Sequence, residues 1–150
     1  MIFVIIMGAM ILGYFLAVSK IPFVLADVIA GLPVNRYVIL GAILLLYIAL
    51  GCVMDALAII LLITPIFFPL ATTLGFDPIW FGILIVRVTE IGMFTPPVGL
   101  NVFIIKGVAR DVPMQTIFRG IIPFLVADIF HVALLVAVPR LSLFLPSFMK

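Results

Sequence analysis

The chain has 150 residues, 67% of them hydrophobic and 9% charged, with 8 Lys plus Arg against 6 Asp plus Glu and a net charge of +2; its mean hydropathy is +1.56. A soluble domain of this length needs a more polar surface than these residues can build, so the composition predicts a protein whose main solvent is lipid. The basic residues are dispersed, which excludes a phosphate-neutralising patch for nucleic acid, and the single cysteine, Cys52, with no Cys/His cluster around it, excludes an internal disulfide and a zinc site.

Residues 1–18 are apolar up to Ser19-Lys20, long enough at about 1.5 Å per residue to cross a hydrocarbon core of roughly 30 Å. No basic region precedes this run and no small-residue cleavage site follows it, so a signal peptide is not expected. The expectation is a span entered mid-protein, with Met1 not the natural start. Ile21-Pro22 permits a new helix, and Val24 to Ala30, carrying Asp27, is too short to cross before Gly31, Pro33 and Asn35 end it; it is expected along the interface.

From Tyr37 an apolar run is stopped at Gly51-Cys52-Val53-Met54-Asp55 and resumes at once from Ala56. One helix from Arg36 to Pro65 would exceed an ordinary span and sink Asp55 in hydrocarbon, so the segment reads as the two arms of a re-entrant hairpin over 36–75 with its tip at 51–55. Pro65 and Pro69 in the second arm favour a kink, and Thr72 to Phe76 closes it. Asp77-Pro78 is a helix start, an N-cap carboxylate followed by a proline at N1. The span it opens passes Trp80, read as an interfacial anchor, and is interrupted by Thr95-Pro96-Pro97-Val98-Gly99 before apolar character returns up to Lys106. Helical hydrogen bonding cannot continue through that sequence, so 78–106 reads as a broken transmembrane helix. A polar turn over 107–113 leads to an amphipathic lead-in from Met114, and a final span over 116–138 ends at Pro139-Arg140.

Broken helices survive in hydrocarbon only where they face protein or a wet cavity. Freed carbonyls at one half-helix end can hold a cation, and freed N–H groups at the opposing end favour an anion. Two such breaks in one short chain point to an ion and substrate site, against the alternative of structural kinks. Asp55, beside a glycine break, is a candidate ion ligand; the alternative is a helix cap for the second arm through the N–H groups of Ala56 to Ala58. Asn101 can supply a ligand oxygen or satisfy freed backbone. Arg87 and Glu90, three apart, read as a structural pair, and so do Asp128 and His131, with a proton relay as the alternative for the latter. Cys52 reads as a small apolar residue. No nucleophile–base constellation or phosphate-binding loop is present, so the chain is not expected to be an enzyme.

The ordered set Gly51-x-x-Met54-Asp55, Pro65-Ile66-x-x-Pro69, Gly75-x-Asp77-Pro78-x-x-Phe81-Gly82 and Gly92-x-x-Thr95-Pro96-Pro97-Val98-Gly99-Leu100-Asn101 resembles the C-terminal part of the large permease subunit of the tripartite ATP-independent periplasmic (TRAP) transporters. The resemblance covers nearly the whole chain and is most specific from Gly51 to Asn101. It implies an all-α integral membrane fold, the second of two inverted repeats of an elevator-type transporter, each repeat with a re-entrant hairpin and a broken helix. Gly51, Met54 and Asp55 would then form the hairpin tip, and Thr95, Pro96, Pro97, Gly99 and Asn101 the segment facing it, where sodium and substrate bind. The implied activity is sodium-coupled import of organic acids of the C4-dicarboxylate or sialic-acid type, with sodium as coupling ion and no other cofactor. A periplasmic binding protein would deliver the substrate and a small membrane subunit would stand alongside, in the bacterial inner membrane as a multi-pass complex. The opposing hairpin and broken helix of the first repeat are not in these residues, so the chain is expected to be a fragment or a split subunit. The alternative is a noncatalytic assembly or scaffold protein; a channel is disfavoured because there is no ring of charges or repeated filter. Lys20, Arg36, Arg140 and Lys150 fall on one side of this layout and Lys106, Arg110 and Arg119 on the other, so charge asymmetry does not assign orientation. The resemblance would put the hairpin's outer ends and the C-terminus toward the periplasm.

Overall fold

The computed structural model describes residues 2–31, 33–95 and 99–147. Among them every regular element is a helix: α1 (Ile2–Ser19), α2 (Ile21–Ala30), α3 (Arg36–Gly51), α4 (Ala56–Thr73), α5 (Pro78–Phe94), α6 (Leu100–Val108), α7 (Met114–Ala137) and α8 (Pro139–Ser147). Their ends follow local chemistry. Lys20 takes a left-handed conformation (φ 55°) between α1 and α2, and Pro22 sits in the first turn of α2, where its missing N–H costs nothing. Asn35 Oδ1 accepts from Tyr37 N at 2.9 Å to start α3, and Asp77 Oδ1 accepts from Ile79 N at 2.8 Å and Trp80 N at 3.2 Å to start α5. At the end of α4, Gly75 adopts φ 79° and Phe76 N reaches back to Ala71 O at 3.0 Å, a closure that needs a residue without a Cβ penalty.

The helices α1, α4 and α7 are each long and apolar enough to cross a membrane. The expected second arm of the hairpin, α4, is thus itself of membrane-spanning length, while neither half of the interrupted helix is among the three. The reason lies in the prolines: α4 runs through both Pro65 and Pro69 for 18 residues, whereas the interruption after Phe94 leaves segments of 17 and 9 residues. A helix can absorb a single missing N–H by local adjustment; the carbonyls that Pro65 and Pro69 leave without their helical donor are those of Leu61 and Pro65, while Thr72 and Thr73 donate to Pro69 O at 2.8 and 2.9 Å. The amphipathic lead-in is likewise not a separate element, because α7 continues from Met114 to Ala137 through Gly120 and Pro123.

At the centre stands α5. Its Trp80, Phe81, Leu84, Ile85, Val88, Thr89, Ile91 and Gly92 are all buried, enclosed by α3, α4 and α7. In lipid the hydrophobic effect does not drive one helix onto another, so dispersion packing and interhelical polar contacts must hold them together. Tyr47 of α3 fills the hairpin: it is fully buried, its hydroxyl lies 3.3 Å from Thr64 Oγ1 of α4, and its ring meets Phe67 edge-on at 6.1 Å. Two contacts fix the direction of α3 relative to α5. The Arg36 guanidinium lies 5.6 Å above the Phe76 ring at one end, and Gly51 meets Gly92 at the other, so the two helices run parallel. The final helix α7 returns antiparallel to α5, since Trp80 Nε1 donates to Leu135 O at 2.8 Å and Arg87 pairs with Asp128. Trp80 therefore does not serve as a lipid-facing anchor; at 2% exposure its indole joins α5 to α7.

Candidate functional site

The site begins with two glycines. A Cβ on Gly51 would lie 2.8 Å from Thr89 O and 3.0 Å from Gly92 Cα, and one on Gly92 would lie 2.6 Å from Ile48 O and 2.7 Å from Gly51 Cα. All four obstacles are backbone atoms, so the end of α3 and the end of α5 touch main chain to main chain, an approach open only to residues without side chains. The consequence is positional. The hairpin tip starts immediately after Gly51, and the interruption of the second helix starts one turn after Gly92, so the two breaks lie at the same end and the same level of the bundle.

At the tip, Cys52 is buried and Met54 is half-buried against the core, while Asp55 is exposed. The Asp55 carboxylate caps α4, with Oδ2 accepting from Leu57 N at 3.1 Å. This is the capping arrangement that stood as the alternative to ion binding. It occupies one oxygen and leaves the other carboxylate oxygen without a partner among the described residues. The end of α3 closes through Cys52 N to Ile48 O at 3.1 Å and Met54 N to Leu50 O at 2.8 Å.

Across from the tip, Thr95 ends α5. Its N–H bonds Gly92 O at 3.1 Å and its Oγ1 donates to Ile91 O at 2.6 Å, so the threonine ties off the last turn on itself. Gly99 then opens α6 with φ 57°, a backbone state that L-residues with side chains disfavour. A Cβ on Gly99 would stand 3.1 Å from Val102 Cγ2 and 3.4 Å from both Phe94 O and Thr95 O. The carbonyl oxygens at the end of α5 thus converge on the start of α6. Carbonyls at a half-helix C-terminus can coordinate a small cation, and free N–H groups at a half-helix N-terminus can meet an anion. Asn101 follows in the first turn of α6, half-buried, its amide without a hydrogen bond among the described residues. Of the expected site residues, Gly51 is brought onto the α5 end and Thr95 and Gly99 are brought together; Met54 and Asp55 lie at the adjoining tip and Asn101 just past the break. Pro96 and Pro97, with Val98, lie outside the described residues.

Three further residues bear on this region beyond the expected site residues. Gly92 was seen only as part of a motif, although it is the partner of Gly51. Thr89, one turn earlier, is fully buried at the same crossing, and its Oγ1 has no hydrogen-bond partner among the described residues. The available signal was the Thr89/Gly92 spacing, which puts two small residues on one face of a membrane helix. The third is Asp128, which the spacing paired with His131. Its partner is instead Arg87, which also holds Glu90 at 2.5 Å, and His131 makes no hydrogen bond or ion pair among the described residues. A guanidinium offers forked donors that satisfy two carboxylates at once, whereas an imidazole one turn along the same helix offers one.

An all-helical chain with three membrane-length apolar helices, packed around buried small-residue contacts, is an all-α membrane protein. Residues 1–141 match the family model of the tripartite ATP-independent periplasmic transporter, DctM component, and the chain belongs to that family, whose members are transporters and not enzymes. It is similar to the sialic acid TRAP transporter large permease protein SiaM of Vibrio cholerae, with 34% identity over 95% of this chain and 33% of the relative. It is also similar to the C4-dicarboxylate TRAP transporter large permease protein DctM of Pseudomonas aeruginosa, with 35% identity over 99% of this chain and 35% of the relative. A third relative, the isethionate TRAP transporter permease protein DctMQ of Oleidesulfovibrio alaskensis, is 33% identical over 98% of this chain and 22% of its own length. The chain spans about a third of the length of the first two of these relatives.

Proposed function

We propose that the chain forms the C-terminal repeat of a sodium-coupled permease that imports organic acids across the bacterial inner membrane. In this reading the hairpin α3–α4 is re-entrant, α5–α6 is the broken helix facing it, and the pair moves as part of an elevator. Sodium binds among the carbonyls where α5 ends, with Asp55, Thr95 and Asn101 near it, and the organic anion meets the N-terminal ends of α4 and α6. The observation that carries the reading is the main-chain contact of Gly51 with Gly92, which sets the tip against the interruption. The relatives named for sialic acid, C4-dicarboxylates and isethionate are permeases for organic anions, which supports an anion of carboxylate or sulfonate type here. A periplasmic binding protein and a small membrane subunit complete the assembly; the name DctMQ of one relative fits a small subunit joined to the large one.

The test exploits the double use of Asp55. Asparagine is as good an N-cap as aspartate but carries no charge. In the intact permease, Asp55→Asn is expected to leave membrane insertion and Tm unchanged while lowering sodium-dependent uptake by roughly tenfold or more, equivalent to about 1.4 kcal/mol. Equal loss of insertion and uptake would assign Asp55 a structural role only, and unchanged uptake would remove it from the site.

A further inference from the structure

The ion-paired cluster Arg87, Glu90 and Asp128 carries two carboxylates on a single guanidinium, which leaves one uncompensated negative charge. His131, on the same face of α7 as Asp128, makes no hydrogen bond or ion pair among the described residues. The cluster sits deep. Glu90 is about 18 Å along α5 from Pro78, and Asp128 about 14 Å from the Ala137 end of α7, near the middle of a hydrocarbon core of roughly 30 Å. The Glu90 side chain is nevertheless 46% exposed in this chain, against 25% for Asp128. Beside it opens a cavity of about 400 Å³ lined by Phe94, Ile121, Phe124, Leu125 and Asp128. A half-exposed carboxylate with net negative charge at that depth is not tolerated against lipid tails; such groups face protein or water.

We infer that this face of α5 and α7 is covered, in the working permease, by a further membrane-spanning segment of the same permease that presents a basic side chain to Glu90. The length of the relatives supplies the source of that segment, since about two-thirds of it lies outside the region this chain matches. Charge complementarity supplies its chemistry: one cation makes the cluster neutral, and the apolar cavity receives the flanking side chains. The inference rests on the chain working inside a larger permease, as proposed above.

The experiment attaches a nitroxide label at Phe124→Cys in a cysteine-free intact permease, with Ile121→Cys as the second site should the first fold poorly. Its spectrum is relaxed either by molecular oxygen, which partitions into lipid, or by a water-soluble nickel chelate. Low accessibility to both is expected, the signature of a protein cover. High oxygen accessibility means a lipid-facing surface and high nickel accessibility a wet cavity, and either overturns the inference. The basic partner is read from the sign of the Tm change on Glu90→Gln. A fall is expected, because the second cation would be left without a partner; a rise or no change means that no cation besides Arg87 meets Glu90, since Arg87 and Asp128 then remain as a neutral pair. Neither readout depends on uptake, so a permease that transports with an exposed label sinks only this inference. A covered label in a permease without sodium-dependent uptake sinks only the transport reading.

Discussion

Gly92 shows how much a single missing methyl group decides. A Cβ there would meet Ile48 O at 2.6 Å and Gly51 Cα at 2.7 Å, and because both are main chain, neither can swing aside as a side-chain tip would. Gly92→Ala in the intact permease is therefore expected to push α3 from α5, costing roughly 1–3 kcal/mol as overpacking and carrying the hairpin tip away from the break. Thermal unfolding and sodium-dependent uptake should fall together. The control is Gly82→Ala, where a Cβ would meet nothing within 4 Å; if both substitutions behaved alike, the close crossing would not be what holds the tip. Both glycines are plain in the sequence, but that they face each other is not, because spacing along a helix gives a face and says nothing of which helix it meets. Asp55 was legible in both of its possible roles, since a carboxylate just before an apolar run is at once a cap and a charge in need of a partner.

Between elements, the polar contacts decide how α7 sits on α5. Arg87 of α5 pairs with Glu90 on its own helix and with Asp128 on α7. The three groups do not count equally. Asp128→Asn leaves Arg87 and Glu90 paired, whereas Arg87→Leu removes the cation that both carboxylates share. Loss of the cation from a largely desolvated cluster is expected to cost on the order of 3 kcal/mol, and Asp128→Asn distinctly less. The ratio of folded to aggregated permease after detergent extraction, together with Tm, compares the two; equal effects would mean that the cluster acts as independent pairs. The i, i+3 rule found Arg87 with Glu90 because both lie on one helix. It mispaired Asp128 with His131 for the same reason, since a rule confined to one helix cannot offer a partner from another. Trp80 was misjudged in the same way: amphipathic rings belong at interfaces, but Leu135 O, from a helix more than fifty residues later in the chain, takes its N–H.

For the whole molecule, the proposed site is made of two chain breaks and shared between them, and a bound ion is expected to stiffen it. Sodium that binds the folded permease and not the unfolded chain raises stability by about 2.7 kcal/mol at one hundred times its dissociation constant. The Tm of the intact permease is expected to rise with sodium at constant ionic strength and to stay flat when potassium replaces it. A response common to both cations would be salt screening, and the coupling-ion assignment would lapse.

The sequence by itself determined that this chain lives in lipid, that its elements are helices, and where most of them start and stop, because hydropathy, proline, glycine and capping carboxylates act within a few residues of where they stand; α8, which follows Pro139 where only a tail is expected, is the exception. It also singled out the two breaks, since Gly51 to Asp55 and Thr95 to Gly99 interrupt apolar runs on their own account. Only the tertiary structure decided that α4 runs unbroken through two prolines, that Gly51 lies on Gly92, and that Arg87 answers Asp128. Each of these depends on what a distant helix brings alongside. In a bundle held by close packing and buried polar pairs, the identity of the neighbour is a property of the whole packing arrangement, and no local pattern encodes it.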